Sequence, residues 1–207
     1  MMRRLPRYNH KRRKINRSYS NTILARSISS GLKFDKKVFF NVNFRGVRLR
    51  RYILTDCKFV LCDLYGAVLN KGKFKNVLFK KCVFYASVFR DCKFIDCRFE
   101  ECVFINSTNG FWQDSETINC NIYSYYDLSI PEEAQLDLNV YRPNKIFQKN
   151  RLLYIKGGKI NKATIFIAMK FFVYEDFKKR LEIAVDNHHT KNIFTTFKLI
   201  EVLQKIM

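Results

Sequence analysis

Residues 82–104 read CVFYASVFRDCKFIDCRFEECVF, and this stretch decides the fold. Phenylalanine returns at every fifth place (Phe84, Phe89, Phe94, Phe99, Phe104), and two places before each stands a small residue: Cys82, Ser87, Cys92, Cys97 or Cys102. The beat continues toward the N-terminus through Phe79, Phe74, Leu69, Leu64, Phe59, Leu54, Leu49, Phe44, Phe39 and Phe34, fifteen consecutive pentapeptides between Leu32 and Asn106. A helix repeats every 3.6 residues and a strand every two, so neither accounts for a period of five. The pattern requires a unit that stacks on copies of itself. The residues two places before the other central positions include Cys57, Cys62, Ala67, Gly72 and Val77. Tyr52 and Lys37 are bulky at this nominally small position, and Gly46 and Arg51 fall in the outward triplet. Distortion is therefore expected in the first coil, with better geometry from Cys57 onward.

The consensus small–x–(Phe/Leu)–x–x resembles the pentapeptide-repeat family. The resemblance covers about a third of the chain and implies an all-β solenoid, a right-handed quadrilateral β-helix with four pentapeptides per coil. In that family the large central residue and the small residue two places earlier point inward, and the other three face solvent. Stacked at the inter-strand spacing of about 4.8 Å, fifteen repeats make three to four coils and a rod about 18 Å long. At least three such units are needed for a self-supporting core.

Six of the seven cysteines (Cys57, Cys62, Cys82, Cys92, Cys97, Cys102) occupy the small inward position. They are expected to be free thiols acting as small hydrophobes. The five-residue spacing sends neighbouring thiols to different sides of a coil, and no histidine lies in the repeats, so no metal is expected. Reduced thiols suit a cytoplasmic protein. His10, His188 and His189 are the only histidines, and no nucleophile elbow or phosphate-binding loop is present. Carboxylate pairs such as Glu100-Glu101 and Glu132-Glu133 read as solvated neighbours. The expectation is a non-enzymatic protein without cofactor or small-molecule substrate.

Residues 1–30 contain nine basic residues and no acid and are expected to form a basic N-terminal arm, with Ile23, Leu24 and Ile28 as a cap. Residues 31–106 form the β-helix, with an irregular partial coil possible to residue 122; Phe111 and Trp112 follow the last repeat and could plug its end. Residues 123–144, bearing Pro131 and Pro143, read as a connection, and residues 145–207 as a mainly α-helical segment ending in an amphipathic helix. No stretch is apolar enough to span a membrane, and the N-terminus lacks a secretory signal.

The chain carries 39 basic and 18 acidic residues, a formal net charge of +21, concentrated in the arm and the rod. Such an excess attracts polyanions. Candidate contacts are Lys11, Arg12, Arg13, Lys14 and Arg17 in the arm and Arg48, Arg50, Arg51, Lys71, Lys73 and Lys75 on the rod. The partner expected is nucleic acid or an acidic protein, with an anionic membrane surface as the alternative. Sorting the repeats by four stacks Tyr65, Tyr85 and Ile105 on one side as a candidate docking face, and the C-terminal helices are a candidate homodimer contact. The resemblance also brings topoisomerase modulation by acidic rods that mimic DNA; the positive charge here has the opposite sign.

Overall fold

Twenty residues separate the partners in nearly every strand pair, which is the signature of four pentapeptides per coil. In the computed structural model, which describes residues 13–15, 17–107, 112–155 and 157–206, Phe34 pairs with Leu54, Leu54 with Phe74 and Phe74 with Phe94. Phe39, Phe59, Phe79 and Phe99 form a second such column. Leu49, Leu69 and Phe89 form a third, and Phe84 and Phe104 belong to a fourth. All ladders are parallel, and the chain winds through about five turns between Tyr19 and Tyr123.

The core is a shaft of rings. Along a column the rings stack, with Phe39–Phe59 at 4.4 Å, Phe59–Phe79 and Phe79–Phe99 at 4.8 Å, and Phe74–Phe94 at 4.4 Å between centroids. Between columns they meet edge-on, as Phe79 and Phe84 do at 68°. The stacking distance is the strand spacing itself, so every coil satisfies backbone hydrogen bonds and ring packing in one step.

The corners obey the same beat. From Asn21 to Asn106, the residue two places after each central position has a positive φ, at every fifth residue without a gap. Gly46 and Arg51 are two of these, at φ 65 and φ 52, so they are ordinary corner residues and not departures from the repeat. Corner amides are used: Arg51 N–H donates to Asn70 O at 3.0 Å and Lys71 N–H to Arg90 O at 2.8 Å. These bonds hold non-glycine residues in a conformation that otherwise costs about 1–2 kcal/mol each.

The expected N-terminal arm is corrected over residues 13–30. Arg13–Ile15, Tyr19–Ile23 and Ile28–Ser30 are strands, paired respectively with Leu32–Asp35, Val38–Asn43 and Arg48–Arg50. Tyr19 and Leu24, twenty residues before Phe39 and Phe44, are buried in the shaft, as is Ser29, twenty before Leu49. A search for Phe or Leu alone misses this coil, because the shaft also accepts Tyr and Ser. Ile28 is 67% exposed and caps nothing. Residues 1–12, including Lys11 and Arg12, lie outside the described residues, as does Phe111. At the other end Trp112 stacks on Phe104 at 4.4 Å. Glu116–Ile118 and Asn121–Tyr123 then add a partial coil with the offset shortened to eighteen residues.

Residues Ser124–Met207 form a second unit. It includes the segment read as a connection: Leu128, Ala134 and Leu138 are buried there, and Lys178 Nζ meets Asp137 at 2.9 Å. The α-helices are α1 (Ala134–Asp137), α2 (Lys145–Asn150), α3 (Lys162–Ala168), α4 (Tyr174–Asp186) and α5 (Thr196–Gln204). Asn144 caps α2 by accepting from Ile146 N–H and Phe147 N–H, and Asn161 caps α3 by accepting from Thr164 N–H. Helix α4 buries Phe177, Leu181 and Ala184, and α5 buries Phe197, Ile200 and Leu203, one stripe each at helical spacing. Thr164 and Thr196 share a buried hydroxyl hydrogen bond at 3.2 Å between α3 and α5.

Candidate functional site

Outward-pointing residues of a solenoid form columns, so the register decides which charges become neighbours. On the side built on Leu49, Leu69 and Phe89, the register aligns Arg48 with Val68 and Val88, and Arg50 with Asn70 and Arg90. On the next side, built on Phe34, Leu54, Phe74 and Phe94, Lys73 stands between Ile53 and Lys93, and Lys75 between Thr55 and Ile95. Arg51 and Lys71 sit one above the other at the corner joining these sides. Arg48, Arg50, Arg51, Lys71, Lys73, Lys75, Arg90 and Lys93 are all exposed. Arg48, Arg50, Lys71, Lys73 and Lys75 have no ion-pair partner among the described residues. The two sides and their corner thus carry a basic surface over the coils of Arg51 and Lys71, and exposed Asp91 stands next in the same corner column.

The arm residues are placed less fully. Arg13 and Lys14 belong to the strand Arg13–Ile15. Arg17 is exposed, donates Nε–H to Tyr19 Oη at 3.2 Å and lies 5.1 Å from the Tyr19 ring centroid.

The side built on Phe84 and Phe104 has a different character. Tyr65 and Tyr85 stack with ring centroids 5.3 Å apart, and Tyr85 pairs with Ile105. Tyr65 is 3% and Ile105 0% exposed, with Val83 and Val103 buried beside them. Below Tyr65 in the same column, the Arg45 guanidinium lies over its ring at 4.1 Å. Burial lowers the Arg45 pKa, opposed by the fields of Tyr65, Asp63 and Tyr85. Arg45 thus adds a cation–π contact to this apolar column.

All seven cysteines are free. The twenty-residue register, shortened to eighteen in the last partial coil, puts Cys62, Cys82, Cys102 and Cys120 in one column, an arrangement that the five-residue spacing alone conceals. Each thiol donates to a carbonyl of the coil below: Cys62 to Phe39 O at 3.3 Å, and Cys82 to Phe59 O, Cys102 to Phe79 O and Cys120 to Phe99 O at 3.4 Å. Ser107 Oγ does the same to Phe84 O at 2.9 Å. Burial pushes the Cys82 and Cys102 thiols well above their ordinary range, so they are poor nucleophiles and poor metal ligands. Among the described residues no group of His, Cys, Asp and Glu is arranged to hold a metal, and no helix is long and apolar enough to cross a membrane. His188 and His189 are exposed at the end of α4.

Residues 43–80 match the family model described as pentapeptide repeats, in eight copies. The solenoid is a pentapeptide-repeat domain. The twenty-residue register extends this domain well beyond the matched residues, to Tyr19 on one side and Ile105 on the other. Among solved structures, a pentapeptide repeat protein of the cyanobacterium Cyanothece is similar at 8% identity and TM-score 0.27, over 48% of this chain and 59% of that one. This chain therefore spans 59% of that protein's length. A trypsin-treated variant of QnrB1, a plasmid-mediated fluoroquinolone resistance protein, is similar at 15% identity and TM-score 0.25, over 57% of this chain and 86% of that one. No curated protein matches the chain.

Charge along the pentapeptide-repeat domain is polar from end to end, which sequence reading by region overlooked. Residues 17–56 hold nine basic and two acidic residues, residues 57–90 seven and one, and residues 91–123 two and six. The signal lay in the charges counted coil by coil. Near the acidic end Lys80 meets Glu100 at 2.9 Å, Arg98 meets Glu100 at 2.9 Å and Glu116 at 3.6 Å, and Lys81 meets Glu101 at 3.6 Å. Asp91, Asp96 and Asp114 are exposed and have no ion-pair partner among the described residues.

Proposed function

We propose that the pentapeptide-repeat domain is a non-enzymatic binding module that engages nucleic acid through its two adjoining basic sides. The observation that carries this reading is the exposed, continuous set Arg48, Arg50, Arg51, Lys71, Lys73 and Lys75 around one corner of a rigid rod. The rod holds the backbone of these cations in register, neighbouring coils being about 4.8 Å apart, while their long side chains can reach out to a phosphate chain. Binding of this type is dominated by counterion release and is insensitive to base sequence. The polarity of the surface argues against DNA mimicry, which requires negative sides.

The test is fluorescence anisotropy of the nuclease-treated protein with duplex DNA and single-stranded RNA oligonucleotides, over a range of salt concentrations. Binding should weaken linearly in log–log form, and the triple variant Arg50→Glu/Lys71→Glu/Lys73→Glu should lower the slope by roughly 0.9 for each duplex phosphate it leaves unneutralised. Unchanged affinity and slope in a variant that still folds would remove the assignment. An acidic protein recovered under gentle salt, with no oligonucleotide binding, would replace nucleic acid as the partner.

A further inference from the structure

We infer, on the reading that the basic sides bind nucleic acid, that they select duplex DNA over a single strand. Three observations carry this. First, the rings of these two sides belong to the shaft: Phe34, Tyr52, Phe74 and Phe89 are buried, and Phe94 stacks on Phe74 at 4.4 Å. Among the described residues, no aromatic side chain stands at an outward position of either side. Second, exposed cations stand on both flanks of the corner, Arg48, Arg50 and Arg90 on one and Lys73, Lys75 and Lys93 on the other. Third, the corner of Arg51 and Lys71 is convex, as outer corners of a solenoid are, and Asp91 ends its cationic part. The cationic ridge is therefore two coils tall.

Proteins that hold single strands combine a cationic groove with aromatic rings on which the bases stack. These sides offer the cations without the rings, and a ridge in place of a groove. What remains is attraction to phosphate, which favours the partner of denser charge. Duplex DNA carries one charge per about 1.7 Å of its axis, against about 3.4 Å for each strand. The shape agrees. A duplex presents two phosphate rows along the lips of a major groove about 12 Å wide, and a ridge with cations on both flanks faces both rows at once. A single strand lying along one side leaves the cations of the other unused. Guanidinium planes also stack on bases, so Arg48, Arg50 and Arg90 are the groups here through which a single strand competes. The lysines of the other side have no such plane.

The experiment is fluorescence anisotropy of the full-length, nuclease-treated protein with a short labelled DNA duplex and with labelled oligothymidine of the same length, at matched salt. The duplex should bind roughly fivefold or more tightly at moderate salt, the difference that slopes of about 0.9 and 0.7 per phosphate give over several contacts. Arg50→Glu/Lys71→Glu/Lys73→Glu should lower duplex affinity more than oligothymidine affinity and close the gap. Residues 1–12 are the same in both proteins, so the lost preference belongs to the rod. Arg48→Lys/Arg50→Lys/Arg90→Lys keeps every charge, removes the guanidinium planes and should retain the preference. Oligothymidine bound by the parent as tightly as duplex, with both lost in the glutamate variant, would overturn the duplex assignment and leave the basic sides as the contact. A preference abolished by the lysine variant would overturn it too, because contacts to bases would then set it. Binding of neither probe, or binding indifferent to the glutamate variant in a chain shown by circular dichroism to be folded, would remove the nucleic-acid reading and this inference together.

Discussion

The phenol of Tyr52 occupies the space in which a Cβ of Gly72 would stand. A Cβ built on Gly72 falls well inside contact distance of Tyr52 Cζ and Oη. Tyr52 sits at a small-residue position but is 1% exposed, and the register is not displaced, Ile53–Thr55 pairing normally on both sides. The missing side chain twenty residues on makes room for the ring, and Oη reaches Cys92 Sγ at 3.5 Å, forty residues away. The distortion expected from a bulky residue here is absorbed by one glycine. Gly72→Ala should therefore destabilise the domain by about 1–3 kcal/mol through overpacking. In a Tyr52→Cys background the same change should cost clearly less. Urea midpoints for the four proteins test this, and strictly additive costs would show that the two residues are not coupled.

Corner geometry makes a second prediction. Ala86 has φ 49 and donates its N–H to Ile105 O at 2.8 Å. Proline fixes φ near −65° and has no N–H, so Ala86→Pro should cost about 3 kcal/mol or more. Ala86→Gly, which suits a positive φ, should stay within about 1 kcal/mol of the parent. Equal effects of the two substitutions in thermal melts would contradict the corner assignment.

The thiols give a pH dependence. Cys82 and Cys102 are held protonated by burial, well above the ordinary 9.0. Below that value both folded and unfolded chains hold the proton, and stability is unaffected. Above it the unfolded chain ionises while the folded one does not, so stability should fall as pH rises beyond about 9. Urea midpoints at pH 8 and pH 10 measure the decrease, and replacing Cys82 and Cys102 with Ser should reduce it. Iodoacetamide at pH 8 should label these two sites only after unfolding, read by peptide mass spectrometry. Rapid labelling of the native protein would show that the column is open.

Leucine in place of phenylalanine leaves space inside the shaft. A void of about 30 Å³ is walled by Leu49, Leu54, Leu64 and Leu69 together with the surrounding rings. Leu54 stands between Phe34 and Phe74 in one column, so Leu54→Phe should extend the ring stack and raise stability by about 1 kcal/mol. A lowered melting temperature would mean that the void is out of reach of position 54.

The sequence alone determined the period of five, the inward placement of Phe84, Phe94 and Cys102, the helical character around Phe177 and Leu181, and the net positive charge. Each of these is a local property, read within a few residues, because pentapeptide periodicity and helical spacing are both short-range patterns. Only the tertiary structure decided that Tyr19, Leu24 and Ser29 begin the shaft, that residues 124–144 pack within the helical unit, and that Gly72 accommodates Tyr52. The same holds for the column of Cys62, Cys82, Cys102 and Cys120 and for the basic surface shared by Arg50, Lys71 and Lys73. The physical reason is that one coil takes twenty residues to close. Residues that touch are therefore twenty or forty apart in the chain, and side chains too unlike to keep the visible beat can still fill the same shaft once their neighbours above and below are in place.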